Sequence, residues 1–199
     1  MSAIRPLTPE WEQYFMRIAF VVMQRAACCK GSVGAVIAKQ NRVVSTGYNG
    51  TPYGMTDCWE DGCTRCKRSA ELTIVNPDQP NQKEPEPKKE YCICVHAEQN
   101  ALLAAAQFGI SVEGATMYVT RQPCFGCAKE MLQAKIASAY FVLPGNPIPD
   151  DLEADYQRLR ESFPHGVRLL QFDYPHNGNI QCPFENIGTD QGTSTAINE

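Results

Sequence analysis

The sequence predicts an α/β fold in which one mixed five-stranded sheet carries helices on its faces. Helical and strand patterns alternate along the chain in the order α-β-β-α-β-α-β-α-β. The first two strands are joined by a short turn, so they are expected to form an antiparallel hairpin. The later β-α-β units favour parallel pairing at the other end of the sheet. With 199 residues the chain is large enough for one well-buried core, and a single domain over residues 9–175 is expected.

The first part of the chain supplies a helix and the hairpin. Residues 9–27 have the pattern of an amphipathic helix because apolar side chains recur at spacings of three and four. We expect this apolar stripe to face the core, and it comprises Trp11, Tyr14, Phe15, Ile18, Val21 and Val22. Strands are then predicted at residues 33–38 and 42–47, on either side of a turn at Gln40 and Asn41.

The second part alternates helices and strands. The predicted elements are a helix at 97–108, a strand at 115–120, a helix through 128–134, a strand at 139–143, a helix at 151–161 and a strand at 167–172. Residues 76–90 hold four prolines and no apolar side chain, which predicts an exposed insertion instead of a domain boundary. Residues 176–199 are polar and are expected to form a loosely held tail.

Composition limits the classes of partner. The net charge of −4 and the lack of a basic stripe argue against a protein that grips polynucleotides by their phosphates, although a small nucleotide needs only a few local donors. The longest apolar run, residues 18–23, is too short to span a bilayer, and no signal-peptide cleavage pattern is visible. We therefore expect a cytoplasmic protein that does not bind membranes. Ten cysteines without a secretion signal indicate metal binding more than disulfides.

One pair of motifs carries the chemistry. His96 and Glu98 are followed by Pro123, Cys124 and Cys127, a pattern typical of the zinc deaminases that act on nucleobases. His96, Cys124 and Cys127 supply three zinc ligands and leave the fourth tetrahedral position for water, which is typical of a catalytic zinc. Each ligand lies at a predicted helix start, where the positive helix end and the metal both favour the thiolate form. Alone, the histidine could be a core residue and the two cysteines half of a structural knuckle, but the full set favours the catalytic interpretation.

Glu98 is the predicted catalytic residue. It falls in the first turn of the helix that His96 begins, so it lies beside the metal without being needed as a ligand. Zinc lowers the pKa of bound water from near 16 to about 7, and a carboxylate there can carry the released proton to the substrate and to the leaving ammonia.

Seven further cysteines precede or adjoin His96. The spacing Cys58-x4-Cys63-x2-Cys66, with Cys92-x-Cys94 as a returning pair, predicts a second, closed structural zinc. Cys28 or Cys29 could join it, and the sequence does not decide which four of the seven bind. The alternative is a set of reduced thiols without a metal. Cys182 stands apart from this group.

The segment 47–52 is a glycine-containing loop after the second strand. Its glycines permit close backbone approach, and Asn49 and Thr51 offer polar groups to a nucleotide sugar. A simple turn is an equally good interpretation of these residue types. Ala97, between the predicted ligand and the predicted catalytic residue, is a further candidate for substrate contact.

These motifs resemble the deoxycytidylate (dCMP) deaminases of the cytidine deaminase superfamily. The resemblance covers roughly residues 10–143 and rests on four segments, residues 33–37, 45–52, 96–101 and 114–129. His-x-Glu with Pro-Cys-x-x-Cys is shared by the whole superfamily, whereas the loop 47–52 and the upstream cysteines are more specific. The resemblance implies a cytidine-deaminase-like three-layer α-β-α sandwich. It also implies structural-zinc ligands at Cys28, Cys58 and Cys94.

The resemblance further implies an activity and its regulation. The reaction would be dCMP plus water to dUMP plus ammonia, supplying dUMP for thymidylate synthesis, in a hexamer activated by dCTP, with Mg²⁺ accompanying that nucleotide, and inhibited by dTTP. The sequence departs from the family at residues 143–147, where many members have a tyrosine that contacts the substrate phosphate and this chain has no aromatic residue. The mode of phosphate recognition is therefore left open.

Two rival functions follow from particular features. The missing tyrosine allows a related deaminase that acts on deoxycytidine, dCTP or adenosine in tRNA. The cysteine content allows a nucleotide sensor with the deaminase fold and little catalysis, but the intact set of His96, Glu98, Cys124 and Cys127 argues against it.

Overall fold

The computed structural model describes residues 10–60, 62–67 and 92–172. The predicted insertion at 76–90, the tail at 176–199 and Cys182 lie outside the described residues. Within the described ranges, no helix combines the length and the apolar character needed to cross a bilayer.

The elements follow the predicted order. The helices are α1 (Trp11–Met23), α2 (Ala97–Gln107), α3 (Phe125–Gln133) and α4 (Glu153–Glu161), and the strands are β1 (Gly34–Lys39), β2 (Arg42–Tyr48), β3 (Thr116–Arg121), β4 (Ser138–Leu143) and β5 (Val167–Leu169). Short 3₁₀ turns at Cys58–Glu60 and Asp150–Leu152 and a helical turn at 64–67 lie between them.

The strands form one mixed sheet in the order β2-β1-β3-β4-β5. β1 pairs antiparallel with both β2 and β3, while β3 with β4 and β4 with β5 are parallel pairs. Gln40 and Asn41 join β1 to β2 with φ of 51° and 57°, the left-handed geometry of a tight hairpin turn. The prediction of a hairpin at one end and parallel β-α-β units at the other is confirmed.

The sheet separates two apolar layers, because alternate residues of a strand point to opposite faces. Ala35 and Ile37 of β1 pack with Ala97 and Ala101 of α2 on one face, together with Met131 of α3. On the other face, Val36 and Ala38 pack against α1 through Phe15, Met16, Ala19, Phe20 and Met23. This arrangement is the predicted three-layer α-β-α sandwich.

Helix α1 differs from its prediction in length and in its buried face. It ends at Met23, not near residue 27, and Trp11, Tyr14 and Val21 are 49%, 43% and 64% exposed. The apolar residues of α1 surround most of the helix, so spacing alone could not select the side that meets the sheet. The backbones of α1 and β1 come close together at Gly34, where an added Cβ would lie 2.1 Å from the carbonyl oxygen of Ala19.

Strand β5 is shorter than the predicted 167–172. It ends at Leu169, although the Leu170 amide still donates to the carbonyl oxygen of Phe141 at 2.7 Å. Leu170 and Phe172 then pack against the α1 layer, and the Phe172 ring stacks on Phe20 at 5.2 Å between centroids.

Candidate active site and metal centres

Two helix starts bring the predicted zinc ligands together. His96 is the extended residue immediately before α2, and Cys124 has the same position before α3. Cys127 is the third residue of α3, one turn along from Cys124. His96 and Cys124 are 28 residues apart in the chain, and their ligand atoms meet where α2 and α3 begin.

The three ligand atoms have the spacing of a tetrahedral zinc site. His96 Nδ1 lies 3.5 Å from Cys124 Sγ and 3.3 Å from Cys127 Sγ. With zinc bonds of about 2.1 Å to nitrogen and 2.3 Å to sulfur, a tetrahedral angle gives a nitrogen–sulfur separation of about 3.6 Å. One imidazole and two thiols therefore fit zinc in both chemistry and distance, and they leave one coordination position without a protein ligand.

The ionisation of the two thiols also suits a metal. The hydrogen bond from Cys127 lowers the pKa of Cys124 to about 3, because it stabilises the thiolate. The same shared proton, together with burial, raises the pKa of Cys127. The lowered pKa of Cys124 favours the thiolate form that a metal ion requires.

Glu98 is buried beside this centre. It is the second residue of α2 and is 4% exposed. Burial raises the pKa of its carboxyl to about 7, since desolvation penalises the charged form. A carboxyl group with a pKa near neutrality can both accept and donate a proton at pH 7, as a general acid–base catalyst must.

Side chains outside the predicted set hold the start of α2. The His96 amide donates to Gln99 Oε1 at 2.9 Å, and Gln99 Nε2 donates to Glu130 Oε1 of α3 at 2.9 Å. Asn100 Nδ2 donates to the carbonyl oxygen of Tyr48 at 2.7 Å. These bonds link the two ligand-bearing helices and β2. A glutamine three residues after a helix start could have predicted the bond between Gln99 and the His96 amide. The bond from Gln99 to Glu130 could not be predicted in this way.

Gly47 explains how β2 approaches α2. A Cβ at this position would lie 2.2 Å from the carbonyl oxygen of Ala97 and 2.4 Å from the amide nitrogen of Ala101. Only glycine permits this contact, so the close backbone approach expected in the loop 47–52 occurs at its first residue. The approach sets the distance between β2 and the residues that flank Glu98.

Tyr156 was not anticipated by the sequence reasoning. This α4 residue is 2% exposed, and its hydroxyl donates to the carbonyl oxygen of Pro123 at 2.5 Å. Gln122 Nε2 donates to the same hydroxyl at 3.2 Å. Tyr156 therefore anchors the segment that delivers Cys124. It lies more than 30 residues beyond that segment, and no motif connects the two.

The upstream cysteines form a second cluster. The sulfur atoms of Cys28, Cys58, Cys66 and Cys94 lie within 4.8 Å of one another, and all four residues are buried. A second set of four, Cys63, Cys66, Cys92 and Cys94, meets the same distance limit. Cys29 is exposed and belongs to neither set, although its amide donates to Cys58 Sγ at 3.5 Å. The four-thiolate donor set fits a closed zinc site.

Close packing of these sulfurs also shifts their ionisation. The hydrogen bond with Cys28 lowers the pKa of Cys58 to about 6, whereas the hydrogen bond with Cys28 raises the pKa of Cys94. The nine cysteines in the described part of the chain form no disulfide. The lowered pKa values of Cys28, Cys58 and Cys66 favour the thiolate form that binds a cation.

The backbone links the cysteine cluster to the active site. Cys94 is two residues before His96, and between them Val95 forms a bridge with Gly50 through bonds of 2.8 and 3.2 Å. The Ala27 amide donates to the carbonyl oxygen of Asn49 at 3.0 Å, which joins the end of α1 to the same loop. The cysteine cluster and the loop 47–52 therefore both hold the backbone next to His96.

A cavity of about 210 Å³ lies between the two centres. His96, Glu98 and Cys124 line one part and Cys28, Cys66, Cys92 and Cys94 another. The remaining lining has six polar or cationic residues, Lys30, Asn49, Arg65, Arg121, Gln122 and Asn146, together with Gly31, Val33 and Ala97.

The predicted substrate contacts have different positions. Asn49 and Ala97 line this cavity, whereas Thr51 is not among its lining residues. The Asn49 amide also has a structural task, since Oδ1 accepts from the Val33 amide and Nδ2 donates to the carbonyl oxygen of Gly31, both at 2.7 Å. Substrate contact by these three residues stays a prediction.

The fold and this centre together define a protein of the deaminase fold, in which three side chains suited to zinc lie beside a buried glutamate. The chain belongs to the cytidine and deoxycytidylate deaminase family: the model of the family's zinc-binding region matches residues 9–143. That match includes all four residues of the predicted catalytic set.

Named relatives agree with this membership. The deoxycytidylate deaminase of Saccharomyces cerevisiae is 36% identical over 178 residues, which cover 87% of this chain and 48% of the yeast protein. The human deoxycytidylate deaminase is 32% identical over 181 residues, covering 90% of this chain and 89% of the human protein. The chain thus spans about half the length of the yeast relative and most of the human one.

A solved structure supports the same assignment. The dCMP deaminase of the cyanophage S-TIM5, crystallised with dCMP and dUMP, superposes with a TM-score of 0.58 at 25% identity. The match covers 82% of this chain and 99% of the phage protein.

Proposed function

We propose that this protein hydrolyses dCMP to dUMP and ammonia with a catalytic zinc ion. The observation that carries the proposal is the buried Glu98 beside His96, Cys124 and Cys127 at the wall of a cavity of about 210 Å³. The names of the yeast, human and phage relatives support dCMP as the substrate.

His96, Cys124 and Cys127 would hold the ion, which would make a water molecule acidic enough to attack at neutral pH. Glu98 would take a proton from the attacking water and pass it to N3 of the cytosine ring. It would then transfer the second water proton to the amino group, so that the C4–N bond breaks and ammonia leaves while the C4 oxygen becomes the carbonyl of uracil. Burial raises the pKa of this carboxyl toward neutrality, which favours both transfers, while the charge of a bound zinc ion would oppose that shift.

Substrate recognition would use the polar lining of the cavity. Asn49 and Ala97 are proposed to contact the sugar and base, and Thr51 to contribute from the same loop. Three cationic residues, Lys30, Arg65 and Arg121, line the cavity and are candidates for the 5′-phosphate. They offer a substitute for the tyrosine that relatives place after β4. Arg121 Nη1 also donates to the carbonyl oxygen of Pro144 at 2.9 Å, which orients its guanidinium.

A closed zinc at Cys28, Cys58, Cys66 and Cys94 is proposed as the structural ion. The remaining proposals rest on the family resemblance alone. They are a cytoplasmic homo-oligomer, a hexamer in particular, that supplies dUMP for thymidylate synthesis, with dCTP as activator accompanied by Mg²⁺ and dTTP as inhibitor. The domain is proposed to span 9–175, with the insertion at 76–90 and the tail at 176–199 outside its core. Neither polynucleotides nor membranes are proposed as partners.

The test is ammonia release by the zinc-loaded protein from dCMP, deoxycytidine and dCTP at equal concentrations. We expect the highest kcat/KM on dCMP. The variant Arg121→Gln should raise KM for dCMP more than for deoxycytidine if this side chain binds the phosphate. Turnover of deoxycytidine or dCTP in preference to dCMP would contradict the substrate assignment. A salt-sensitive complex with tRNA would point instead to a tRNA-directed deaminase.

A further inference from the structure

Six cysteines of the cluster divide into two groups of four that overlap. Cys28 and Cys58 belong to the first group only, and Cys63 and Cys92 to the second only. Cys66 and Cys94 belong to both. A single four-coordinate ion uses four sulfurs and leaves two without a metal, so the overlap needs a separate explanation.

Three sulfur–sulfur distances in the cluster are close to the edge length of a zinc tetrahedron. With zinc–sulfur bonds of about 2.3 Å, a regular tetrahedron has edges of about 3.8 Å. The measured separations are 3.7 Å for Cys28–Cys66, 3.9 Å for Cys66–Cys94 and 3.9 Å for Cys63–Cys92. Cys66–Cys92 is slightly shorter at 3.4 Å. All are far longer than the bond of about 2.05 Å in a disulfide, so the sulfurs are spaced as ligands and not as oxidised pairs.

We propose that this cluster binds two zinc ions, bridged by the thiolates of Cys66 and Cys94. Cys28 and Cys58 complete one tetrahedron, and Cys63 and Cys92 complete the other. The two tetrahedra share the Cys66–Cys94 edge, so that six thiolates serve two ions.

Charge favours the second ion. One zinc ion with four thiolates has a net charge of −2, and two zinc ions with six thiolates also have a net charge of −2. The second ion therefore recruits two more ligands without increasing the net charge that the protein must bury. Five of the six cysteines are buried and Cys92 is half-buried. A bare thiolate at any of these positions would be costly.

The chain positions give the second ion a structural consequence. Cys63 lies before the helical turn at 64–67, and Cys92 is four residues before His96. An ion held by Cys63 and Cys92 would give the segment before His96 a second point of attachment. The proposal concerns metal content and does not depend on which nucleotide the protein deaminates.

The first test is the metal content of the purified full-length chain, measured by elemental analysis against protein concentration. We expect three zinc ions per chain, one at His96, Cys124 and Cys127 and two at the cluster. Cys63→Ser and Cys92→Ser should each lower the count to two. Cys29→Ser is the matched control, because Cys29 is an exposed neighbour that belongs to neither group of four, and it should keep three ions.

The second test needs no variant of the cluster. When the native zinc is exchanged for ¹¹³Cd²⁺, the NMR spectrum should contain two all-thiolate signals, each split by coupling to the other through the shared sulfurs. A third signal, from the mixed nitrogen and sulfur site, should be uncoupled. A single all-thiolate signal without splitting, together with two zinc ions per chain that Cys63→Ser leaves unchanged, would overturn the proposal. The all-thiolate signals report on the cluster even in a protein that proves inactive on dCMP, so failure of the two proposals can be told apart.

Discussion

The hydroxyl of Tyr156 donates to the carbonyl oxygen of Pro123 at 2.5 Å, one residue before the proposed zinc ligand Cys124. This bond attaches α4 to the turn from which α3 starts. The Phe125 ring stacks on Tyr156 at 6.1 Å between centroids, so the contact extends to both sides of Cys124. A side chain remote in sequence thereby holds a metal ligand in place.

Removing the Tyr156 hydroxyl should make the position of Cys124 less rigid while the Cys124 thiol itself is kept. In Tyr156→Phe the Pro123 carbonyl loses its donor in a buried position, and we expect the free energy of unfolding to fall by about 1–3 kcal/mol. A small displacement of Cys124 should lower kcat by roughly tenfold. Chemical denaturation and steady-state kinetics would measure these changes. Tyr140→Phe, a half-buried β4 residue stacked on Tyr118, is the control and should keep kcat unchanged.

The same tyrosine predicts a pH dependence of stability above neutrality. Burial raises the pKa of Tyr156 above its ordinary value of 10.0. The folded state therefore holds the phenol proton more tightly than the unfolded state, which releases it first as the pH rises. This stabilisation is fully present below about pH 10 and is lost as the pH rises through the folded-state pKa. The stability difference between the wild type and Tyr156→Phe should thus shrink above about pH 10 in denaturation series. A difference that stays constant to pH 11 would contradict this linkage.

Gly47 predicts a steric effect on the active site. An alanine there would place its Cβ 2.2 Å from the Ala97 carbonyl oxygen, so β2 and α2 must separate. We expect Gly47→Ala to destabilise the protein by about 1–3 kcal/mol, as overpacking does, and to lower kcat because Ala97 adjoins Glu98. Gly50→Ala is the matched control, since its Cβ would meet nothing closer than 3.5 Å. Equal stability of the two variants would show that β2 adapts without strain.

The raised pKa of Glu98 leads us to expect a loss of activity on the acid side of the pH–rate profile. Burial raises the pKa of the carboxyl from 4.5 to about 7, while the charge of a bound zinc ion opposes that shift. Glu98 must be ionised to take a proton from the attacking water. We therefore expect kcat/KM to fall as the pH falls through a value between 4.5 and about 7. A profile of kcat/KM for dCMP from pH 4 to 8 would locate this limb. A limb at or below pH 4 would mean that burial does not govern this carboxyl.

Sequence alone predicted the order of the elements and a candidate catalytic set whose side chains the structure brings together. His96, Glu98, Cys124 and Cys127 could be identified because metal chemistry restricts both residue type and spacing within each motif. The hairpin turn at Gln40 and Asn41 could likewise be placed, since both flanking strands have clear patterns. These features are local, and local patterns are what a sequence records directly.

Features that depend on distant packing could not be predicted. The spacing of the upstream cysteines indicated a metal but not the two overlapping groups, because Cys28 and Cys58 meet Cys66 and Cys94 only after folding. Only half of the predicted apolar stripe of α1 packs against the core, namely Phe15, Ile18 and Val22, since the helix is apolar around much of its circumference. Tyr156 and Glu130 were missed because each acts on a residue about 30 positions away, with no motif to mark the pair.

The measurement that tests the central claim most directly is ammonia release from dCMP by the wild type and by Glu98→Gln, with zinc content determined on the same samples. The account predicts turnover by the wild type and a loss of about 10²–10⁴-fold in kcat for the variant, because the proton carrier is gone while the ligands remain. Zinc content should be equal in the two proteins. Near-normal turnover by a fully metallated Glu98→Gln variant would contradict the role of Glu98, and absence of turnover by the zinc-loaded wild type would contradict the proposed reaction.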